Sequence, residues 1–231
     1  DNIGALESNF KRLNSAIYHI PSKHESFLKN LSAMKQIITD GNYDVVHVHQ
    51  GTIGVFPMYY AKKAGVKVRI NHSHIAYKEK TFFEKIIDIL FLPFLKKYST
   101  HWFACGLDAG RFLWGDKAVE NGKVIVMNNA IDIDKFTFNA DMRRRKRKEL
   151  ALDDKFVIGN VGRFTYQKNH EFLIKIFSEI HQKDNSAVLL LIGEGEFEED
   201  VKEQVKNLGL SEAVKFLGIR NDVHELLQAM D

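Results

Sequence analysis

A single cysteine, Cys105, stands in 231 residues. It leaves no partner for an intramolecular disulfide and fits a reducing compartment, so a cytoplasmic chain is expected. The opening residues "DNIGALESNF" hold no methionine, no basic segment and no apolar core, so neither a secretory signal nor a native start is read there. Long uninterrupted apolar runs are missing too. The most apolar window, residues 82–98, is broken by Glu84, Lys85, Asp88 and Pro93, which argues against a spanning helix. It reads as a buried helix kinked at Pro93, with docking on a bilayer surface as the alternative. Net charge is also small: 33 Lys and Arg against 30 Asp and Glu leave +3, too little to argue for nucleic acid.

Several catalytic signatures are absent. No G-x-x-x-x-G-K-[ST] occurs, and "GEGEFE" at 193–198 has Glu198 where a dinucleotide fingerprint needs its third glycine. Kinase, ordinary NTPase and NAD dehydrogenase readings weaken accordingly. Without H-E-x-x-H, and with the cysteine far from the histidines, a metal site is not expected. Without G-x-S-x-G, triad chemistry has no anchor, and Cys105 with His101 four residues before it makes only a weak pair.

What is present is a core-forming composition, 45% hydrophobic, enough for one large domain or two small ones. Short β-branched runs alternate with helical periods from end to end. "NYDVVHVHQ", "VKVRINHSH", "STHWFACG" and "KVIVMNNAI" read as strands separated by helices, and after a break the rhythm restarts with "FVIGNVG", "AVLLLIGEG" and "VKFLG". Strand–helix alternation predicts parallel α/β layers. The break, about 132–154, contains "RRRKRK" at 143–148, read as a solvated linker or helix start, with contact to an anionic membrane surface as the sharper alternative. The expected organisation is a first domain over 1–135, a basic linker over 136–153 and a second domain over 154–231.

Three places carry candidate chemistry. In "VGRFTYQKN" a strand ends at Gly162, Arg163 offers a fork of donors, Lys168 an ammonium, and a helix begins at Asn169 with its dipole pointing the same way. Beyond the carboxyl end of a parallel strand such a set suits a diphosphate, or it is a pair of surface cations beside a capped helix. Histidines recur two apart in "VHVHQ" and "NHSH", so His47 with His49, and His72 with His74, share strand faces. His72 or His74 fits a polar or acid–base role in a cleft, against satisfied, partly buried imidazoles. The carboxylates of "DID", Asp132 and Asp134, read as turn or cap residues rather than metal ligands.

Taken in order, "YDVVHVHQ", "VRINHSHIAY", "WFACGLDAGRFLWGD", "VIVMNNAIDIDKF", "VGRFTYQKN", "LLLIGEGE" and "VKFLGIRNDVHELLQAMD" resemble a family 4 retaining glycosyltransferase of the GT-B fold, of the capsular or exopolysaccharide type. The resemblance implies two Rossmann-like, doubly wound parallel-sheet domains, the first on the acceptor side and the second binding a UDP- or GDP-linked sugar. Arg163 and Lys168 match the positions that hold the donor diphosphate, and Gly162 the turn before them, an arrangement that needs no metal. His72 matches the first-domain histidine near the reacting sugar. The implied partners are the nucleotide-sugar donor, a glycan or lipid-linked acceptor and an anionic membrane surface on the cytosolic side, with no nucleic acid. The family's early strand and glycine-rich loop, and its later pair of glutamates, have no counterpart here. A piece of a longer enzyme, inactive in transfer by itself, is therefore expected. The rivals are a noncatalytic nucleotide-sugar-binding subunit and a sugar-nucleotide epimerase of the same fold.

Overall fold

The computed structural model describes residues 4, 6–77 and 79–231, and the chain divides into two compact units, 1–130 and 131–231. In the first, α1 (Glu7–Arg12) and α2 (Phe27–Asp40) precede β1 (Val45–Val48), α3 (Val55–Lys63) and β2 (Val68–Ser73). Then come α4 (Phe82–Tyr98), β3 (His101–Ala104), α5 (Leu107–Trp114), α6 (Asp116–Glu120) and β4 (Val124–Val126). The four strands form one parallel sheet in the order β1-β2-β3-β4. The second unit holds α7 (Ile133–Phe136), α8 (Ala140–Glu149), β5 (Phe156–Val161), α9 (His170–Lys183), β6 (Ala187–Ile192), α10 (Glu198–Asn207), β7 (Val214–Phe216) and α11 (Val223–Gln228). Its sheet is parallel, ordered β5-β6-β7. Both units are the parallel α/β layers that the alternation predicts.

The central strand of the second unit shows why the sequence folds this way. All six residues of β6, "AVLLLI", are buried. Ala187, Leu189 and Leu191 face Ile174, Phe177, Val201 and Val205 of α9 and α10, while Val188 and Leu190 face Leu152, Val157 and Ala229 on the other side. A strand covered on both faces reads as a continuous apolar run rather than an alternating one. In the first unit Trp114 is 1% exposed, stacks on Trp102 at 5.0 Å and closes a core with Met58, Leu95 and Leu113. Helix starts follow side-chain chemistry: Ser26 caps α2, Thr81 and Glu84 form a capping box on α4, and Asn139 caps α8.

Two expectations are corrected. The segment 136–153 is not a basic linker, and the division falls between Ala130 and Ile131. Residues 140–149 form α8, which packs on α11 because its cations find carboxylates there. Lys146, 5% exposed, lies 2.7 Å from Asp222 and 3.1 Å from Glu225, while Arg143 and Arg147 both pair with Asp231. Burial works against the charge on Lys146, but Asp222, Glu149 and Glu225 outweigh it and hold its pKa above the ordinary value. Nor is α4 a buried helix: only Leu95 is buried along its 17 residues. Among the described residues no helix is long and apolar enough to cross a membrane.

Candidate functional site

In the second unit the chain leaves the sheet after β5 through Gly162, whose N–H donates to the Ile192 carbonyl at 2.9 Å. The loop that follows lies directly on the loop after β6. A Cβ at Gly193, where φ is +133°, would stand 2.3 Å from the Gly162 carbonyl oxygen, and one at Gly195 would stand 2.4 Å from the Phe164 carbonyl oxygen. Backbone bonds from Phe164 N–H to Glu194 and from Phe197 N–H to Phe164, both 3.2 Å, fasten the two loops together. Gly193 and Gly195 thus do not cradle a phosphate as a dinucleotide fingerprint would. They remove the side chains that would keep the two loops apart.

Held on this seam, the stem of Lys168 passes over Gly162, its Cε 3.2 Å from where a Cβ would stand. The structure therefore brings Gly162 and Lys168 together, six positions apart in a turn that closes at Asn169. Asn169 adopts the left-handed region at φ +46° and accepts the Phe172 N–H at 3.3 Å, starting α9. Arg163 and Lys168 are both exposed. Among the described residues neither side chain has an ion-pair or hydrogen-bond partner. Two positive charges beside the N-terminus of a 14-residue helix, with no acid of the fold neutralising them, form an anion-accepting surface.

The residue that follows Asn169, His170, belongs to none of the motifs above. It is 3% exposed, its ring stacks on Phe164 with centroids 4.2 Å apart, and its Nδ1 has no partner. Burial, then the neighbouring Lys168 charge, lowers its pKa, so the loop rests on a neutral imidazole. The signal available was position alone: a histidine opening a helix directly after the candidate loop. A groove of about 700 Å³ opens beside this loop between α9 and α10, lined by Tyr166, His170, Lys175, Phe197 and Gln204 among others.

In the first unit the pairing of Val48 with Asn71 sets His49 beside His72, so the histidines of β1 and β2 fall on one face at the carboxyl end of the sheet. His47 Nε2 and His72 Nδ1 are 3.3 Å apart, and His49 Nδ1 and His74 Nε2 are 2.8 Å apart. In each pair one imidazole donates and the other accepts. His72 is 4% exposed, its ring stands edge-on to Phe103, and its Nε2 has no partner. Burial first, then repulsion from His74, His49 and His47, pushes its pKa down to about 4. His47 and His49 are lowered by burial first and then by neighbouring imidazoles, so these three rings are largely neutral near pH 7.

Ring nitrogens of His47, His49 and His72 lie within 4.8 Å of one another, near enough to be considered as cation ligands. The rings, however, stack at 4.2 Å within each strand and hydrogen-bond between strands, whereas metal ligands aim their lone pairs at one common point. Buried Asn71 fixes the loop after β1: its Nδ2 donates to the Gln50 carbonyl at 3.0 Å, and its Oδ1 fills the space where a Cβ on Gly54 would be. A pocket of about 300 Å³ beyond that loop is lined by Lys23, Gln50, Thr52, Lys80, Asp88 and Phe112 among others. Of the minor candidates, Cys105 is a half-buried free thiol, His101 bonds to Thr100, and Asp132 pairs with Lys135 at 3.3 Å.

Comparison with known proteins adds four findings. A family model described as "Glycosyl transferases group 1" matches residues 141–231. EpsF of Bacillus subtilis, provisionally named a glycosyltransferase, is 32% identical over 238 residues, covering 98% of this chain and 60% of EpsF. Alpha-monoglucosyldiacylglycerol synthase of Streptococcus pneumoniae is 22% identical over 209 residues, covering 85% of this chain and 46% of the synthase. Among solved structures, Anabaena HepE in complex with UDP-glucose superposes with a TM-score of 0.78 at 19% identity, covering 99% of this chain and 62% of HepE. The chain thus spans less than two thirds of the relatives it matches.

Proposed function

We propose that this chain, whose residues 141–231 match the family model described as "Glycosyl transferases group 1", is the donor-binding and acceptor-facing part of a retaining, GT-B-fold glycosyltransferase. It moves a hexosyl unit from a UDP- or GDP-linked sugar to a glycan or lipid-linked acceptor, at the cytosolic face of a membrane to which it docks peripherally. The observation that carries the reading is the loop at 162–168: two exposed cations without an acidic partner, set on a glycine turn at the carboxyl edge of a parallel sheet. HepE bound to UDP-glucose has the same fold and supports a nucleotide-sugar donor.

In this reading the Arg163 guanidinium and the Lys168 ammonium bind the donor diphosphate. As the sugar–oxygen bond breaks, charge builds on the departing nucleotide, and fixed cations stabilise that charge more than they stabilise the ground state. Such a leaving-group clamp needs no metal. His72, buried and held neutral at the carboxyl end of the first sheet, is in this reading the first-unit histidine near the reacting sugar.

A thermal-shift panel of UDP-glucose and GDP-mannose against the parent chain, Arg163→Ala and Lys168→Ala tests donor binding. The parent is expected to be stabilised by one of the two donors and the variants to lose most of that gain. Equal stabilisation of all three proteins would refute the assignment. Product analysis separates an epimerase, which releases a changed nucleotide sugar without any acceptor.

A further inference from the structure

The corrected reading of α4 leaves a surface that the donor site does not explain. At about 100° per residue, Phe82, Phe83, Ile89, Leu90 and Phe94 fall on one side of the helix. All five are between 48% and 80% exposed. A contiguous apolar stripe of this length on a folded domain marks an interaction surface rather than scattered surface hydrophobes.

Charge around the stripe is sorted by sign. Both acidic residues of α4 are engaged away from it: Glu84 closes the capping box with Thr81, and Asp88 accepts from Thr52 and pairs with Lys80 at 2.6 Å. Lys85 and Lys97 are the exposed charges of α4. The packed neighbour α3 contributes lysines and no acid: the ammoniums of Lys62 and Lys63 sit 5.3 and 5.8 Å from the ring centres of Tyr98 and Tyr59. The surface is therefore a row of Phe, Ile and Leu bordered by lysines and ending in tyrosines. Lysines and tyrosines carry apolar bodies and polar tips, which suits a boundary between hydrocarbon and charged head groups.

We propose that the α4 stripe, with Lys62, Lys63, Lys85 and Lys97, is the surface through which this protein lies on an anionic lipid bilayer. The proposal rests on the membrane part of the function above and names the element responsible. It also assigns the polybasic helix α8 away from that role, since Arg143, Lys146 and Arg147 are spent on carboxylates within the second unit. A second copy of the chain is a poorer occupant, because pairing this face with itself sets lysines against lysines. The helix lies in the membrane plane, its inner side still holding the 300 Å³ pocket at Thr52 and Asp88. An acceptor carried by a lipid would then meet that pocket from the bilayer side.

Co-sedimentation of the full 231-residue chain with phosphatidylcholine vesicles, with or without phosphatidylglycerol, tests this. The parent is expected to partition onto the phosphatidylglycerol vesicles. Phe83→Asp with Leu90→Asp should weaken partitioning by more than about tenfold, and Lys62→Glu with Lys63→Glu by about tenfold. Arg144→Ala with Lys148→Ala, on the outer side of α8, should stay within about twofold. Circular dichroism and the nucleotide-sugar thermal shift, measured on each variant, show that the fold and the donor site survive.

Three outcomes overturn the proposal. Partitioning lost in the α8 variant but kept in the α4 variant keeps membrane docking and moves it to α8. A parent that ignores phosphatidylglycerol removes docking altogether, while donor binding stands or falls by its own thermal shift. A dimer seen by sedimentation velocity, dissolved by Leu90→Asp while vesicle binding persists, makes the stripe a self-interface.

Discussion

Both units place their candidate chemistry at the carboxyl edge of a parallel sheet, yet they treat its polar groups in opposite ways. In the first, four imidazoles join in two hydrogen-bonded pairs, and burial drives His47, His49 and His72 toward neutrality. In the second, two cations are presented without a partner on a loop whose backbone is clamped by glycine contacts. A neutral cluster accepts protons and hydrogen bonds, whereas an unpaired cationic loop binds an anion. Charge that the fold uses for itself and charge that it leaves for a ligand can therefore be told apart by asking which side chains already have partners.

The largest effect is expected where the clamp is broken. Gly193→Ala forces a side chain onto the Gly162 carbonyl at a backbone conformation that L residues rarely adopt, and should cost about 3 kcal/mol in the second unit. Calorimetry should show that loss together with loss of nucleotide-sugar binding. Next, acid should separate the two units. The His72 pKa is depressed in the folded state to about 4 from the ordinary 6.5 of a free imidazole, so the unfolded chain binds the proton first. Stability of the first unit is then full above about pH 6.5 and is lost as pH falls toward 4, by about 2 to 3 kcal/mol. Melting curves across that range should flatten in His72→Asn.

The two kinds of lysine sharpen the contrast. Lys146→Met removes the buried cation that Asp222, Glu225 and Glu149 share, leaving Asp222 to Arg220 and Glu225 to the exposed Arg145, and should destabilise the second unit by about 2 kcal/mol in chemical denaturation. Lys168→Ala removes a charge that no group in the fold uses, so its unliganded melting temperature should barely move. Its affinity for a nucleoside diphosphate should nonetheless fall by about tenfold or more.

The parallel α/β layers and the strand positions were legible because buried strands and amphipathic helices write themselves as hydrophobic periodicity, "AVLLLI" most plainly. Gly162, Arg163 and Lys168 were legible as a group because they lie within seven residues. The clamp on that group was not, since Gly193 and Gly195 reach it only through folding of a loop some thirty residues later. His170 was passed over because burial against Phe164, not spacing, sets its state. The run 143–148 misled as a linker for a related reason: its carboxylate partners, Asp222, Glu225 and Asp231, lie more than seventy residues away. Likewise α4 had the composition of a buried helix, and only the packing shows which side remains uncovered.

The central claim is that Arg163 and Lys168 grip a diphosphate. It is tested most directly by titrating the chain with nucleoside, nucleoside monophosphate and nucleoside diphosphate, in the uridine and guanosine series, by calorimetry. The account predicts tighter binding with each added phosphate for one of the two bases. The diphosphate gain should fall by about tenfold or more in each single variant and vanish in Arg163→Ala with Lys168→Ala. A double variant that still prefers the diphosphate as strongly as the parent would contradict it.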